Sequence, residues 1–277
     1  MDTVGIVACS NAQKKTFAKK NNRLMEYLES IGRDVLISEC IYGSTSEFSG
    51  TGKERAANLM KMFTNPDVTD IYDISGGDMA NEVLDYLDFK KIKESSAVFH
   101  GYSDLTTVIN AIYTKTGKSS VLYQIKNIVD EEYGEIQKRR YNNPYELFNV
   151  NFRMVQGESI KGIVVGGNIR CFLKLAGTEY FPDMTGKVLL IESLGGRVPQ
   201  MVTFLSQLKS IGVFKKISGI IMGTFTTMEE EQCKPDMISL VKEFAGPNMP
   251  IAKTEEIGHG HDSKAIWIGK EIEIVKQ

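Results

Sequence analysis

Along the first half of the chain, hydrophobic residues alternate between two spacings. Short β-branched runs, VGIVAC at 4–9, DVLISEC at 34–40, DIYDIS at 70–75 and AVFHGY at 97–102, have the length and period of strands. Between them lie stretches of helical period at about 13–31, 52–63, 80–87 and 105–116, with Gly76-Gly77 marking a turn. Strands and helices in this rhythm predict a parallel sheet with crossover helices. Residues 1–128 therefore read as one Rossmann-like, doubly wound α/β unit.

The pattern changes at 129–150, where DEEYGEIQKRRYNNPY is charged and turn-rich and has no period that would bury a face. This stretch reads as a domain linker. Residues 151–277 follow with short strands in FNVNFRMV, GIVVGG, GKVLLIE, SGIIMGTF and AIWIGKEIEIV, and with helical periods at about 169–176, 198–211 and 235–244. They predict a second, smaller, strand-rich α/β domain. Neither internal repeats nor low-complexity segments interrupt the chain.

Composition narrows the function. With 277 residues, 42% hydrophobic and 25% charged, the chain can bury a sizeable core without metals or disulfides. A formal net charge of -2, both signs mixed, gives no footprint for nucleic acid or an anionic membrane, so a small molecule or peptide is the expected partner. Cys9, Cys40, Cys171 and Cys233 lack paired spacing, which points to reduced thiols. MDTVGIVACSNAQKK lacks the basic start and long apolar core of a signal peptide, and no run reaches membrane-spanning length. The expected location is the cytoplasm.

Candidate chemistry concentrates at sheet edges. In AVFHGYSDLTTVINAIY a strand meets a helix through Gly101-Tyr102-Ser103-Asp104, so Ser103 reads either as a helix N-cap or as an exposed nucleophile. In the second case the N–H of Asp104, at the positive end of the helix, can stabilise an oxyanion, and the Gly76-Gly77 turn can supply a second donor. A base must come from His100, His259 or His261. His100 lies within a strand and reads as structural. His259 sits in the glycine-rich loop Gly258-His259-Gly260-His261, where it is a base, a surface residue, or, with His261 and Asp262, part of a metal site. A metal is disfavoured because His-x-His points alternate ways on a strand. Glu192, ending an apolar strand, can orient the imidazole or cap the next helix. After the first strand, Cys9-Ser10-Asn11-Ala12 lacks a dinucleotide fingerprint, so no nucleotide cofactor is expected.

Five ordered segments carry a more specific signal. SGTGKERAANLMKMFTNPDVTDIYDISGGDMANEVLDYLDF, FHGYSDLTTVINAIYTKTG, GIVVGGNIRCFLKLAGTEYFPDMTGKVLLIE, LSQLKSIGVFKKISGIIMGTF and GHGHDSKAIWIG together resemble the LD-carboxypeptidase and microcin C self-immunity family of serine peptidases. The resemblance implies a triad of Ser103, Glu192 and His259 in a groove between two domains. It also implies an oxyanion hole from the N–H groups of Gly77 and Asp104, and a groove lined by Asn168. No metal or cofactor is implied, and a homodimer is. The substrates implied are short cell-wall peptides that lose a terminal D-amino acid, or aminoacyl and peptidyl nucleotides. A third reading keeps the fold as a non-catalytic ligand-binding protein, against which the intact triad argues. Cys9-Ser10 and SSVLYQIKNIV depart from the family pattern. Gly196, where the self-immunity branch has a basic residue, and the late position of Trp267 lean toward the carboxypeptidases, whereas Ile74-Ser75-Gly76-Gly77-Asp78 looks like the self-immunity branch.

Overall fold

The computed structural model describes residues 2–43 and 47–276. Positions 1 and 277, the outer bounds expected for the two domains, lie outside these. The first half runs β1 (Thr3–Val7), α1 (Ala18–Ser30), β2 (Asp34–Ile37), α2 (Gly52–Thr64), β3 (Val68–Asp73), α3 (Phe89–Glu94), β4 (Val98–Gly101), α4 (Thr106–Thr116) and β5 (Ser120–Leu122). The expected helix at 80–87 is a 3-10 turn, Ala80–Tyr86. All five strands are parallel, in the order β5-β4-β3-β1-β2. The winding reverses between β1 and β3, so the loops after those strands part at the carboxyl edge and leave a crevice, the usual ligand position in such sheets.

The stretch expected to be an irregular linker instead folds into α5 (Gly134–Asn142) and α6 (Pro144–Phe148). Its amphipathic pattern is hidden because what it buries is polar: Gln137 is fully enclosed beside Leu147. The remainder is β6 (Arg153–Gln156), β7 (Ser159–Asn168), α7 (Ile169–Leu173), β8 (Val188–Ser193), α8 (Val198–Ser210), β9 (Gly219–Phe225), α9 (Thr226–Glu230), α10 (Met237–Ala245), β10 (Ile251–Lys253), β11 (Ile266–Ile268) and β12 (Glu271–Val275). A second six-stranded sheet has the order β12-β7-β8-β9-β10-β6, with β7 to β10 parallel and both edges antiparallel. It is as many-stranded as the first.

The single apolar run at 265–275 is two strands. Gly269, at φ +90°, breaks it. β11 returns to the first sheet as an antiparallel edge on β5, while β12 borders β7 in the second. The expected boundary at 151 is therefore crossed by one strand. One hydrophobic core runs through both sheets, joining Leu105, Val108 and Ile112 of the first half to Val164, Leu190, Ile221 and Ile257 of the second. Asn110 of α4 fixes this junction by donating to the carbonyl of Gly166 and accepting from its N–H, both at 2.9 Å. No helix among the described residues is long and apolar enough to cross a membrane.

Candidate active site

Ser103 stands where β4 turns into α4 at the carboxyl edge of the first sheet. Tyr102 is still extended, but Ser103 adopts φ +55°, a left-handed conformation that costs a non-glycine residue roughly 1–2 kcal/mol. The turn is tight enough that a Cβ on Gly101 would lie 2.6 Å from the Leu105 Cβ, so only glycine fits there. A strained serine at a strand-to-helix turn holds its hydroxyl clear of the sheet. Ser103 makes no side-chain cap on the helix that follows, which separates it from the N-cap reading.

Three sequence-predicted residues meet here. His259 Nε2 is 3.1 Å from Ser103 Oγ, and His259 Nδ1 is 2.6 Å from Glu192 Oε2. Glu192 is the penultimate residue of β8, which is parallel and adjacent to β7 and sets it opposite Asn168, so its position follows from the second sheet's register. The side chains of His259 and Glu192 are each 2% exposed, which keeps water from competing for their contact. Glu192 Oε1 has no partner among the described residues. The ring of Tyr102 covers the imidazole at 4.6 Å between centroids. Burial, and then the charge of Glu192, hold the Tyr102 hydroxyl well above its ordinary range, so it stays protonated.

The loop carrying His259 is fastened from both halves. Thr224 N–H of β9 donates to Ile257 O at 2.8 Å, and Gln137 Nε2 of α5 donates to His261 O and Ser263 O at 2.8 and 2.9 Å. Asn127 Nδ2 adds a bond to Gly260 O at 3.3 Å. Neither Gln137 nor Asn127 was anticipated, because their partners lie more than 120 residues away. His261 turns outward to Asp130, 2.7 Å away, and is 63% exposed. The two imidazoles thus have different partners rather than a shared site. His100 pairs with Asp70 at 2.9 Å, away from Ser103.

On the other side of Ser103 lies the Gly76-Gly77 turn, where a Cβ on Gly76 would be 4.0 Å from the Ser103 Cβ. Gly77 has φ +129° and packs against Asn11, whose Oδ1 accepts from Asp78 N–H at 2.8 Å. The fully buried carboxylate of Asp104 serves as a brace. That carboxylate accepts from Ser10 Oγ (2.6 Å), Ala80 N–H (2.8 Å) and Lys174 Nζ (2.6 Å). Arg55, also buried, donates to the carbonyls of Cys9 and Ser10 and pairs with Glu82, tying the same loops from beneath. The Cys9-Ser10 pair is thus part of the scaffold around Ser103. Sequence offered no sign of the Ser10, Asp104 and Lys174 connection, which joins three distant segments.

A cavity of about 540 Å³ opens above Ser103. Asn168 lines it and also caps α7 by accepting from Cys171 N–H at 3.3 Å. Two guanidinium groups stand in the wall. Arg170 pairs with Asp78, and Arg197 holds Glu231 through two bonds of 2.6 Å. Both pairs are exposed, so an anionic ligand group can compete for either cation at small cost.

Residues 4–123 match a family model described as the LD-carboxypeptidase N-terminal domain, and residues 161–274 match that of the LD-carboxypeptidase C-terminal domain. The chain is 26% identical to the microcin C7 self-immunity protein MccF of Escherichia coli, over 99% of this chain and 90% of that one. It is also 26% identical to a protein of Bacillus subtilis named probable murein peptide carboxypeptidase, over 97% and 87%. A solved structure of MccF in complex with glutamyl sulfamoyl guanosine superposes with a TM-score of 0.87 at 23% identity, covering 99% of this chain and 93% of that one.

Proposed function

Given that the chain belongs to the LD-carboxypeptidase family, we propose that it is a serine peptidase that releases the terminal D-amino acid from short cell-wall peptides through an acyl-enzyme. One observation carries the reading: Ser103, His259 and Glu192, separated by 156 and 67 residues in sequence, stand in one hydrogen-bonded line. In this mechanism His259 Nε2 takes the proton of Ser103 Oγ as the oxygen bonds to the scissile carbonyl carbon. The oxyanion that forms accepts from the N–H groups of Gly77 and Asp104. His259 then gives its proton to the departing amine as the carbon–nitrogen bond breaks. Water, deprotonated by the same imidazole, hydrolyses the ester. Glu192 keeps the proton on Nδ1 and balances the imidazolium charge.

The terminal carboxylate of such a peptide has cationic partners in Arg170 and Arg197, with the N-terminus of α8 beside them. A second reading is an amide hydrolase of aminoacyl or peptidyl nucleotides, because a relative of the same fold is described in complex with glutamyl sulfamoyl guanosine. The peptide is favoured because Phe204 is the single aromatic ring among the described residues that line the cavity, and Trp267 lies elsewhere. A nucleobase would have little to stack on. A merely ligand-binding role leaves the strained serine and its relay without a purpose.

The test is mass spectrometry of the protein incubated with a cell-wall tetrapeptide ending in D-alanine, and separately with an aminoacyl sulfamoyl adenosine, each beside a Ser103→Ala control. Loss of D-alanine only with Ser103 present is the expected result. Cleavage of the nucleotide alone transfers the protein to the second reading, and no Ser103-dependent cleavage of either refutes both.

A further inference from the structure

Lys253, the last residue of β10, has a side chain only 7% exposed. A lysine is seldom buried without a full set of partners. Its Nζ donates to Gly223 O at 3.0 Å, to Thr254 O at 3.2 Å and to Glu255 Oε2 at 2.7 Å, and Glu229 Oε1 is 3.1 Å away. The side chains of Glu255 and Glu229 are 69% and 41% exposed, so water can serve these carboxylates as well as the ammonium does. What burial of the ammonium adds is the pair of carbonyls.

Those carbonyls govern the two ends of one segment. Thr254 opens the stretch 254–257 that leads to His259. Gly223 O belongs to the same peptide group as the Thr224 N–H, which donates to Ile257 O, at the far end of that stretch, at 2.8 Å. One ammonium therefore holds the start of the segment directly and its end through a single peptide plane. A cation on a peptide carbonyl polarises the group, and its N–H donates more strongly. The same peptide is where the sheet ladder is broken. β8 and β9 pair at Ile191 with Met222 and again at Ser193 with Phe225, so Gly223 and Thr224 together form a bulge opposite Glu192. Packing there is close on both sides: a Cβ on Gly223 would lie 3.0 Å from the Glu192 Cβ and 2.4 Å from Ile257 O.

We propose that Lys253 is a positioning residue of the site: through the bulged peptide that joins Gly223 to Thr224 it sets the loop of His259 against Glu192, and so aims the imidazole at Ser103. The proposal rests on the reading of Ser103, His259 and Glu192 as a catalytic triad. Lys253 does not line the cavity above Ser103, so it acts on the relay and not on the substrate.

Lys253→Met keeps the apolar stem and removes the donors. The expected result is a fall of about 10–100-fold in kcat for release of D-alanine, the scale of a small misplacement of a catalytic group, with KM within about twofold. Lys253→Arg restores the donors, with a cavity of about 490 Å³ beside Lys253 to take the larger head, and recovers most of the lost kcat. Glu229→Gln and Glu255→Gln alter only exposed ion pairs and stay within about twofold. A spectroscopic readout separates positioning from loss of stability. The His259 Nδ1–H, buried against Glu192, gives a far-downfield proton resonance that is assigned by its loss in Glu192→Gln. Well below the melting temperature, Lys253→Met shifts or broadens that signal, whereas the proton between His100 and Asp70 stays in place. Should Lys253→Met not melt cooperatively, Lys253→Gln, whose amide stops one bond short, replaces it. An unmoved His259 signal, a kcat within twofold of the parent protein, or an equal loss in Lys253→Arg each overturns the proposal. Absence of turnover in the unaltered protein refutes the peptidase reading instead, and the resonance then decides whether Lys253 holds the ring.

Discussion

Glu192→Gln breaks the relay while keeping its shape. Glu192 presents Oε2 to His259 Nδ1 at 2.6 Å and leaves Oε1 buried without a partner. A glutamine in the same rotamer has two orientations, and both are poor. With the NH2 toward His259, the ring must move its proton to Nε2, and the lone pair that faces Ser103 is lost. With the carbonyl toward His259, the tautomer is right, but the NH2 is buried where nothing accepts it, at about 1–3 kcal/mol. In either case no negative charge balances the imidazolium of the transition state. A unit pair about 4 Å apart at an effective dielectric near 20 is worth about 4 kcal/mol, or roughly a thousandfold in rate. The expected loss in kcat is therefore about 10³–10⁴-fold, with KM nearly unchanged because Glu192 does not line the cavity. Steady-state release of D-alanine from the tetrapeptide measures it, with a melting curve to show that the fold persists. A folded Glu192→Gln protein that keeps more than a tenth of the activity would refute the role given to Glu192.

Other perturbations separate strain, charge and anchoring. Ser103→Gly and Ser103→Ala both abolish turnover, but the glycine variant unfolds with about 1 kcal/mol more stability, since only glycine accepts φ +55° freely; equal melting temperatures would contradict the strain. Lys126, which donates to Gln13 Oε1 at 3.2 Å, is pushed down from 10.5 to about 8 by burial first and by Lys20 second, with Asp73 acting oppositely. A lysine held below its unfolded value binds fewer protons when folded, so stability rises with pH between about 8 and 10.5. Lys126→Met should therefore be more stable at pH 7 by up to about 3 kcal/mol, an advantage that fades above pH 10.5 in denaturant titrations. Gln137→Leu unpairs the carbonyls of His261 and Ser263 and should lower stability by about 2–4 kcal/mol, with a fall in kcat as the base loop loosens. His261→Ala, which removes an exposed contact to Asp130, should change kcat/KM by less than about twofold; a loss like that of His259→Ala would revive a joint role for the two histidines.

Much of the architecture follows from local pattern. β1 and β8 are largely apolar runs of strand length, buried on both faces, and a parallel sheet is where such runs belong. Ser103 follows and Glu192 ends a strand-like run, so a sheet edge can be assigned to each; His259 is read from its glycine-rich loop, and family resemblance groups the three. Three things were not legible. The run at 265–275 has one continuous strand period, and period alone cannot say that its halves border different sheets. Of the helices of 134–148, the first buries Gly134 and Gln137 and the second, only five residues long, buries Leu147 alone, so neither carries a helical apolar stripe that hydropathy would detect. The brace of Ser10 and Lys174 on Asp104 depends on three chain segments meeting, and sequence spacing does not encode that meeting.

The return of β11 to the first sheet has a consequence for the order of assembly. During synthesis β5 stays an unpaired edge until residues 266–268 exist, although the rest of its sheet was made some 140 residues earlier. The loop bearing His259 has β10 at one end and β11 at the other, each hydrogen-bonded into a different sheet. Ser103 therefore acquires its partner only when both sheets are closed, through contacts of long sequence separation that form late and slowly. A nascent chain with a complete first sheet but no β11 carries Ser103 without His259 beside it, so on the proposed mechanism hydrolytic activity during refolding should lag the recovery of secondary structure.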